Sequence, residues 1–259
     1  MAELLPELSG WALSKRQRDV LWAHNDSGED ARLLAVSAID GSLVGDVAVG
    51  GVTATDWEDI ATYVDGDRKS WIVIADTGDN AGQRETVRLV LVPEPELSAT
   101  TVEAAGVVTV TWADGPHDVE ALIVDPLTGD AVLIGKRFSG EPIVSVDVIA
   151  RRSLVPGAQV TSTKVGNFRI PFGQPYGPTG ASISATGTTV GLVFYANLTL
   201  TWTRSRGASV AATIMRNAPC VVRTGFGQYE SVAIADNGAV LVATEGRSVS
   251  LRAYVPRPR

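Results

Sequence analysis

The chain has 259 residues, a formal net charge of −7, 26 glycines and a single cysteine, with 45% of its residues hydrophobic. Neither nucleic-acid phosphates nor an anionic membrane would attract so acidic a chain, and the lone Cys220 excludes an intrachain disulfide. Alanine, valine, glycine and threonine dominate and no segment keeps a helical stripe for three turns, so the expectation is an all-β fold.

In chain order, the opening "MAELLPELSG" lacks the basic and apolar regions of an export signal, and no later run is long enough to span a bilayer. The chain as given is therefore expected in the cytoplasm without membrane insertion, or in the periplasm or outside the cell if it is a mature form. The first apolar strand reads "LSGWALS" from Leu8, and a polar turn leads to "VLWAHND", then "RLLAVSAI" and "SLVGDVAV". A second set repeats the order as "WEDIATYV" from Trp57, "WIVIADT", "VRLVLVPE" and "VVTVTWA". A third runs "VEALIVDP" from Val119, "AVLIGKR", "PIVSVDVI" and "QVTSTKV", and a fourth "TGASISAT" from Thr179, "VGLVFYAN", "LTLTWTR" and "SVAATIM". The fifth, "YESVAIAD" from Tyr229, "AVLVATEG" and "VSLRAYV", ends before a fourth strand.

The turns between first and second strands, such as "DGDRKS" and "DPLTGD", have hairpin composition. Gly166–Pro178 and Arg204–Gly207 read as insertions. Units recurring at roughly 50 to 60 residues with four antiparallel strands each predict a single five-bladed β-propeller spanning residues 1–259 around a central channel. Its missing outer strand is assigned to Ala2–Leu5. A β-sandwich is the competing architecture, but it does not require five hairpins in phase.

In a propeller, first-strand starts and second-strand ends crowd one mouth of the channel. Aligned first-strand positions are Gly10, Glu58, Glu120, Gly180 and Glu230, with Asp56 and Asp118 two residues upstream of two of them. The second strands bring Asn25 and Asp26, Asp76 and Asp79, Lys136 and Arg137, Tyr195 and Asn197, and Glu245, and both histidines, His24 and His117, fall at the same rim. Two like charges about 5 Å apart repel by roughly 3 kcal/mol at an effective dielectric near 20, so the acids need a cation, protons or basic neighbours. An all-oxygen set predicts a hard divalent cation, calcium ahead of magnesium or manganese, with Glu58, Glu120, Glu230, Asn25 and Asp76 as candidate ligands. His117, His24 and Asp118 are candidate proton carriers. Trp57, Lys136, Arg137 and Tyr195 are candidate substrate contacts. The glutamates would also serve as structural ties to backbone amides, and the tryptophans as packing between blades.

The stretches "HNDSG" at His24, "DWEDIA" at Asp56, "DTGDN" at Asp76, "GPHDVEAL" at Gly115, "YGPTGASIS" at Tyr176 and "GQYESVA" at Gly227 resemble a widespread, largely uncharacterised group of bacterial β-propeller proteins. More distantly the arrangement looks like gluconolactonase-like and phytase-like esterase propellers. That resemblance implies a divalent metal at the channel mouth, held by acidic and amide side chains, that polarises an ester, lactone or phosphoester. Gly10 and Gly180 depart from a full acidic ring, leaving an open side for substrate or an incomplete metal site. Two functions are expected from this: a metal-dependent hydrolase of a small ester, lactone or phosphoester, or a non-catalytic propeller that binds a small ligand or a protein segment at the same mouth.

Overall fold

The computed structural model describes residues 5–28, 30–136, 142–171, 174, 176–246 and 251–255. The described fold is all-β, with 20 strands in four sheets and one short α-helix. The first sheet pairs β1 (Leu8–Leu13), β2 (Val20–Asn25), β3 (Arg32–Ser37) and β4 (Leu43–Gly50) antiparallel. The second pairs β5 (Trp57–Val64), β6 (Ser70–Asp76), β7 (Val87–Pro93) and β9 (Gly106–Thr111) in the same way. The third holds β10 (Val119–Val124), β11 (Ala131–Gly135), β12 (Ile143–Ile149) and β14 (Thr163–Arg169). The last sheet has six strands in the order β15 (Pro178–Ile183), β16 (Thr189–Phe194), β17 (Ala196–Thr203), β18 (Cys220–Ile234), β19 (Val240–Thr244) and β20 (Arg252–Tyr254).

The sheets number four because β18 serves two partners. Its first part pairs with β17, and Tyr229–Ile234 pairs with β19. The fourth and fifth sequence units are therefore joined by one uninterrupted strand. The innermost strands touch in sequence: β1 lies beside β5, β5 beside β10, β10 beside β15, β15 beside the second half of the last sheet at β18, and β18 beside β1.

These strands form where apolar runs can be buried on both faces, and every residue of β10 (VEALIV) and of β11 (AVLIG) is buried. The core consists of separate wedges between neighbouring sheets. Trp57 and Trp22 lie between the first two, Trp112 between the second and third, and Phe168, Phe194 and Trp202 between the third and fourth. Trp11, packed with Ala233, Leu241 and Leu5, joins the first sheet to the end of the last. Residues 2–4 of the expected closing strand lie outside the described residues; Leu5 is fully buried and Pro6 O accepts from Gly246 N at 2.8 Å.

Two fourth strands differ from expectation. "QVTSTKV" splits into β13 (Gln159–Thr161), which adds parallel to β9 of the second sheet, and β14, which closes its own. The same manoeuvre puts β8 (Thr101–Glu103) parallel to β4 of the first sheet, so connections pad the outer edge of the preceding sheet. "SVAATIM" is not a strand. It forms α1 (Val210–Arg216), because Ser209 caps the helix by accepting from Ala212 N at 3.1 Å and buries Val210, Ala211 and Ile214. The strand role passes to the Cys220 end of β18. Among the described residues no helix is long and apolar enough to cross a membrane.

Candidate metal centre

One irregularity recurs at the start of every innermost strand. The register slips between Leu8 and Gly10, Trp57 and Asp59, Val119 and Ala121, Pro178 and Gly180, and Tyr229 and Ser231. A bulge re-aims the extra residue out of the ladder; here the extra residues are Ser9, Glu58, Glu120, Thr179 and Glu230. The equivalent positions therefore carry Ser9 and Thr179, not Gly10 and Gly180, a one-residue correction to the sequence alignment. Where the bulge carries a hydroxyl, it ties two inner strands: Ser9 Oγ donates to Glu58 O at 2.8 Å and Thr179 Oγ1 to Tyr229 O at 2.6 Å.

Gly10 and Gly180 leave no open side. A Cβ on Gly10 would lie 2.8 Å from His24 Nε2 and 2.9 Å from Asp59 Cα, and one on Gly180 would lie 2.7 Å from Glu230 O. Only glycine lets the inner strands approach so closely.

Three of the bulges carry buried carboxylates, Glu58, Glu120 and Glu230. Glu58, Asp118 and Glu120 each offer an oxygen such that all three lie within 4.8 Å of one another, and Asp26, Asp56 and Glu58 form a second such group. Glu58 belongs to both groups. Gly78 of "DTGDN" sits against the Glu58 and Asp56 carboxylates in the space a Cβ would fill, and its amide donates to Asp56 O at 3.2 Å. Asp118 is 6% exposed; Oδ1 accepts from Asp79 N at 2.8 Å, while Oδ2 is buried without a hydrogen-bond partner among the described residues. Lys136 Nζ pairs with Glu120 Oε1.

Burial dominates the electrostatics. It pushes the Glu58 carboxyl well above its ordinary range, and Glu120, Asp26 and Asp118 push it further. Burial likewise raises Glu120 to about 8, with Lys136 pulling downward and Asp118 upward. Glu230 rises well through burial and the Glu120 charge, and Asp118 rises through burial despite the Asp79 amide. Asp26 is pushed up to about 6 by burial, against the Ser27 amide and with Asp56 adding to the rise. Burial works against the Lys136 charge, but Glu120, Glu230 and Glu58 together hold its ammonium above the usual range.

Other expected residues lie elsewhere. Asp76 is fully buried, with Oδ1 accepting from Arg84 Nη2 at 2.9 Å and Oδ2 paired with Arg88; both oxygens are committed, which removes it from the ligand set. Asn25 Oδ1 accepts from Glu7 N at 3.3 Å. His24 is 1% exposed beneath Gly10, with Nδ1 2.9 Å from Asn25 O, and burial lowers its pKa to about 4. It packs edge-on to Trp57, itself 1% exposed in the core, so neither faces the mouth. His117 stacks on Trp112, with Nε2 2.9 Å from Ser145 Oγ and Nδ1 2.9 Å from Gly115 O. Burial opposes its charge, yet Asp147 and the Gly115 carbonyl raise its pKa. Its partners are Ser145 and Asp147 of β12 and Gly115 of the loop before β10. Tyr195 stays at the rim, edge-on to Tyr176 and bonded to Gln228, which also reaches Glu245. Arg137 lies outside the described residues.

Asp59, beside Glu58 in the sequence, was given no site role from the sequence. It is 1% exposed, and its Oδ2 accepts from Leu122 N at 2.8 Å and Ala181 N at 2.9 Å, while Oδ1 accepts from Ile60 N at 2.8 Å. One carboxylate thus joins three inner strands, β5, β10 and β15. Burial raises its pKa and the three amides lower it. The available signal was a second acid inside "WEDIA", where a strand buried on both faces should be apolar.

Sheets and mouth together define an all-β protein whose inner strands converge on a buried acidic group. No family model and no curated protein matches the chain. Among solved structures it is similar to Kuenenia stuttgartiensis hydrazine synthase, with a TM-score of 0.47 and 15% identity over 93% of this chain; it spans 56% of that one.

Proposed function

We propose that the protein is a five-bladed β-propeller whose acidic mouth holds a hard divalent cation, calcium first, and hydrolyses a small ester, lactone or phosphoester there. Five blades follow if β18 is counted twice, as outer strand of the fourth and inner strand of the fifth, in keeping with the five bulges and five inner-strand contacts. The observation that carries the cation reading is Asp118 Oδ2: a buried carboxylate oxygen with no hydrogen-bond partner among the described residues, on a side chain grouped with Glu58 and Glu120. An unsatisfied charge of that kind is costly unless paired.

Glu58, Asp118 and Glu120 would be the protein ligands, with Asp56 and Asp26 beside them. All are oxygen donors, which suits calcium, magnesium or manganese rather than zinc. When bound, the ion would polarise the scissile carbonyl or phosphoryl group and lower the pKa of a water. Lys136 and Tyr195 would contact an anionic or polar substrate. Of the expected proton carriers only Asp118 lies among these acids, and as a ligand it would not be free to take a proton; Asp26, grouped with Asp56 and Glu58, would be a carboxylate outside that ligand set able to accept one from the water.

The alternative, a mouth that binds a ligand without turning it over, uses the same residues, and fold does not choose between them. Metal analysis of purified protein, then thermal melting in EDTA and in calcium, tests the ion, because a ligand of the folded state raises its apparent stability. No bound metal and no shift would refute the cation. A panel of lactones and phosphodiesters with wild type and Glu120→Gln tests catalysis: turnover unaltered by the substitution would place the reaction elsewhere.

A further inference from the structure

Lys136 is the one basic residue among the positions that directly follow the second strands. The corresponding residues of the other units are Asp26, Thr77, Tyr195 and Glu245. Its backbone is held on two sides: Lys136 N donates to Asp118 O at 3.0 Å, and Gly177 packs so closely that a Cβ there would lie 2.8 Å from Lys136 Cα. From this fixed base the side chain, 14% exposed, crosses to Oε1 of Glu120, one of the three residues of the candidate ligand group. The ammonium is therefore paired with a carboxylate on which a bound cation would draw.

We propose that Lys136 is a tethered counter-ion: without metal it neutralises Glu120, and a divalent cation must displace it to bind. This inference rests on the cation reading above. The chemistry is an exchange of charges. A single ammonium sets one positive charge against three carboxylates, whereas a doubly charged ion draws on all three. A monovalent ion offers no more charge than the lysine and has no advantage over a group already held in place, so the tether selects for divalent ions and weakens their net affinity. A displaced Nζ keeps an acidic environment, because the fields of Glu230 and Glu58 already act on it.

The test is calcium titration calorimetry on wild type, Lys136→Met and Lys136→Arg, with melting curves in sodium chloride and in choline chloride at equal ionic strength. Lys136→Met should bind calcium about tenfold more tightly or better, since a positive charge within a few ångströms of the site has gone. It should also be stabilised by sodium relative to choline, which wild type is not. Lys136→Arg should behave like wild type. A purely structural lysine would lower calcium affinity when removed, so equal or weaker binding by Lys136→Met, with wild type still binding, overturns this inference and leaves the cation reading intact. No calcium uptake by any of the three overturns both. If Lys136→Met does not fold, Lys136→Gln carries the same expectation.

Discussion

The substitution Glu58→Gln separates a cation site from a set of structural ties, because it should change sign with the solvent. Glu58 shares its surroundings with four other acids in the two groups whose oxygens lie within 4.8 Å of one another. A pair of unit charges at 4.8 Å repels by roughly 3.5 kcal/mol at an effective dielectric near 20. Proton uptake and Lys136 relieve much of that, so an isosteric neutral side chain should stabilise the metal-free protein by about 1–2 kcal/mol. For a domain of this size that corresponds to a melting temperature higher by roughly 2–8 °C. In calcium the order should reverse. Wild type at a hundred times its dissociation constant gains about 2.7 kcal/mol, while the variant, short of a ligand, gains little. The assay is thermal or urea unfolding at neutral pH in EDTA and in millimolar calcium. If Glu58→Gln is the less stable protein in EDTA, Glu58 is a tie to its neighbours and the electrostatic argument fails.

Other outcomes follow from the same geometry. Asp59→Ala strands three buried amides at about 1–3 kcal/mol each; it should lose at least about 3 kcal/mol or fail to fold, and Leu122 and Ala181 should lose amide-exchange protection in any folded fraction. His24 titrates near 6.5 in the unfolded chain and at about 4 when buried, so between those values the unfolded state binds the extra proton and stability falls as pH falls, by up to about 3 kcal/mol. Urea midpoints of His24→Asn across pH 4–7 should lack that component, and an unaltered slope would contradict the assigned burial. Gly180→Ala should cost about 1–3 kcal/mol, because the new methyl meets the Glu230 carbonyl and drives two inner strands apart; an unchanged urea midpoint would count against the close approach. Asp76→Asn should cost about 2 kcal/mol by weakening its pairs with Arg84 and Arg88 while leaving calcium affinity unchanged; a lost affinity would return Asp76 to the ligand set.

Much of the strand order was legible because apolar runs and hairpin turns are local signals. All five first strands and all five second strands lie where the pattern "WEDIATYV…WIVIADT" and its counterparts put them. The "SVAATIM" segment misled because a short alternating apolar run suits either period; its serine cap and the packing of α1 on β14 decided for helix. That acids gather at strand ends was also readable, since charge is a local feature of the sequence. Which acids would face one another was not. The bulge at the start of each inner strand decides which residue leaves the ladder, and a register slip leaves no mark in composition. It sets Ser9 and Thr179, rather than two glycines, level with Glu58, Glu120 and Glu230.

The sequence by itself determined a β-rich repeat with a concentration of carboxylates at strand ends, because periodicity and charge are properties of neighbours along the chain. Only the tertiary structure decided the fate of each acid: Asp76 answered by two arginines, Asp59 by three amides, Glu120 by Lys136, and Asp118 left with a bare oxygen. The physical reason is that the energy of a buried charge depends on what lies within a few ångströms in space, and here those partners come from strands as many as 122 residues apart in the chain.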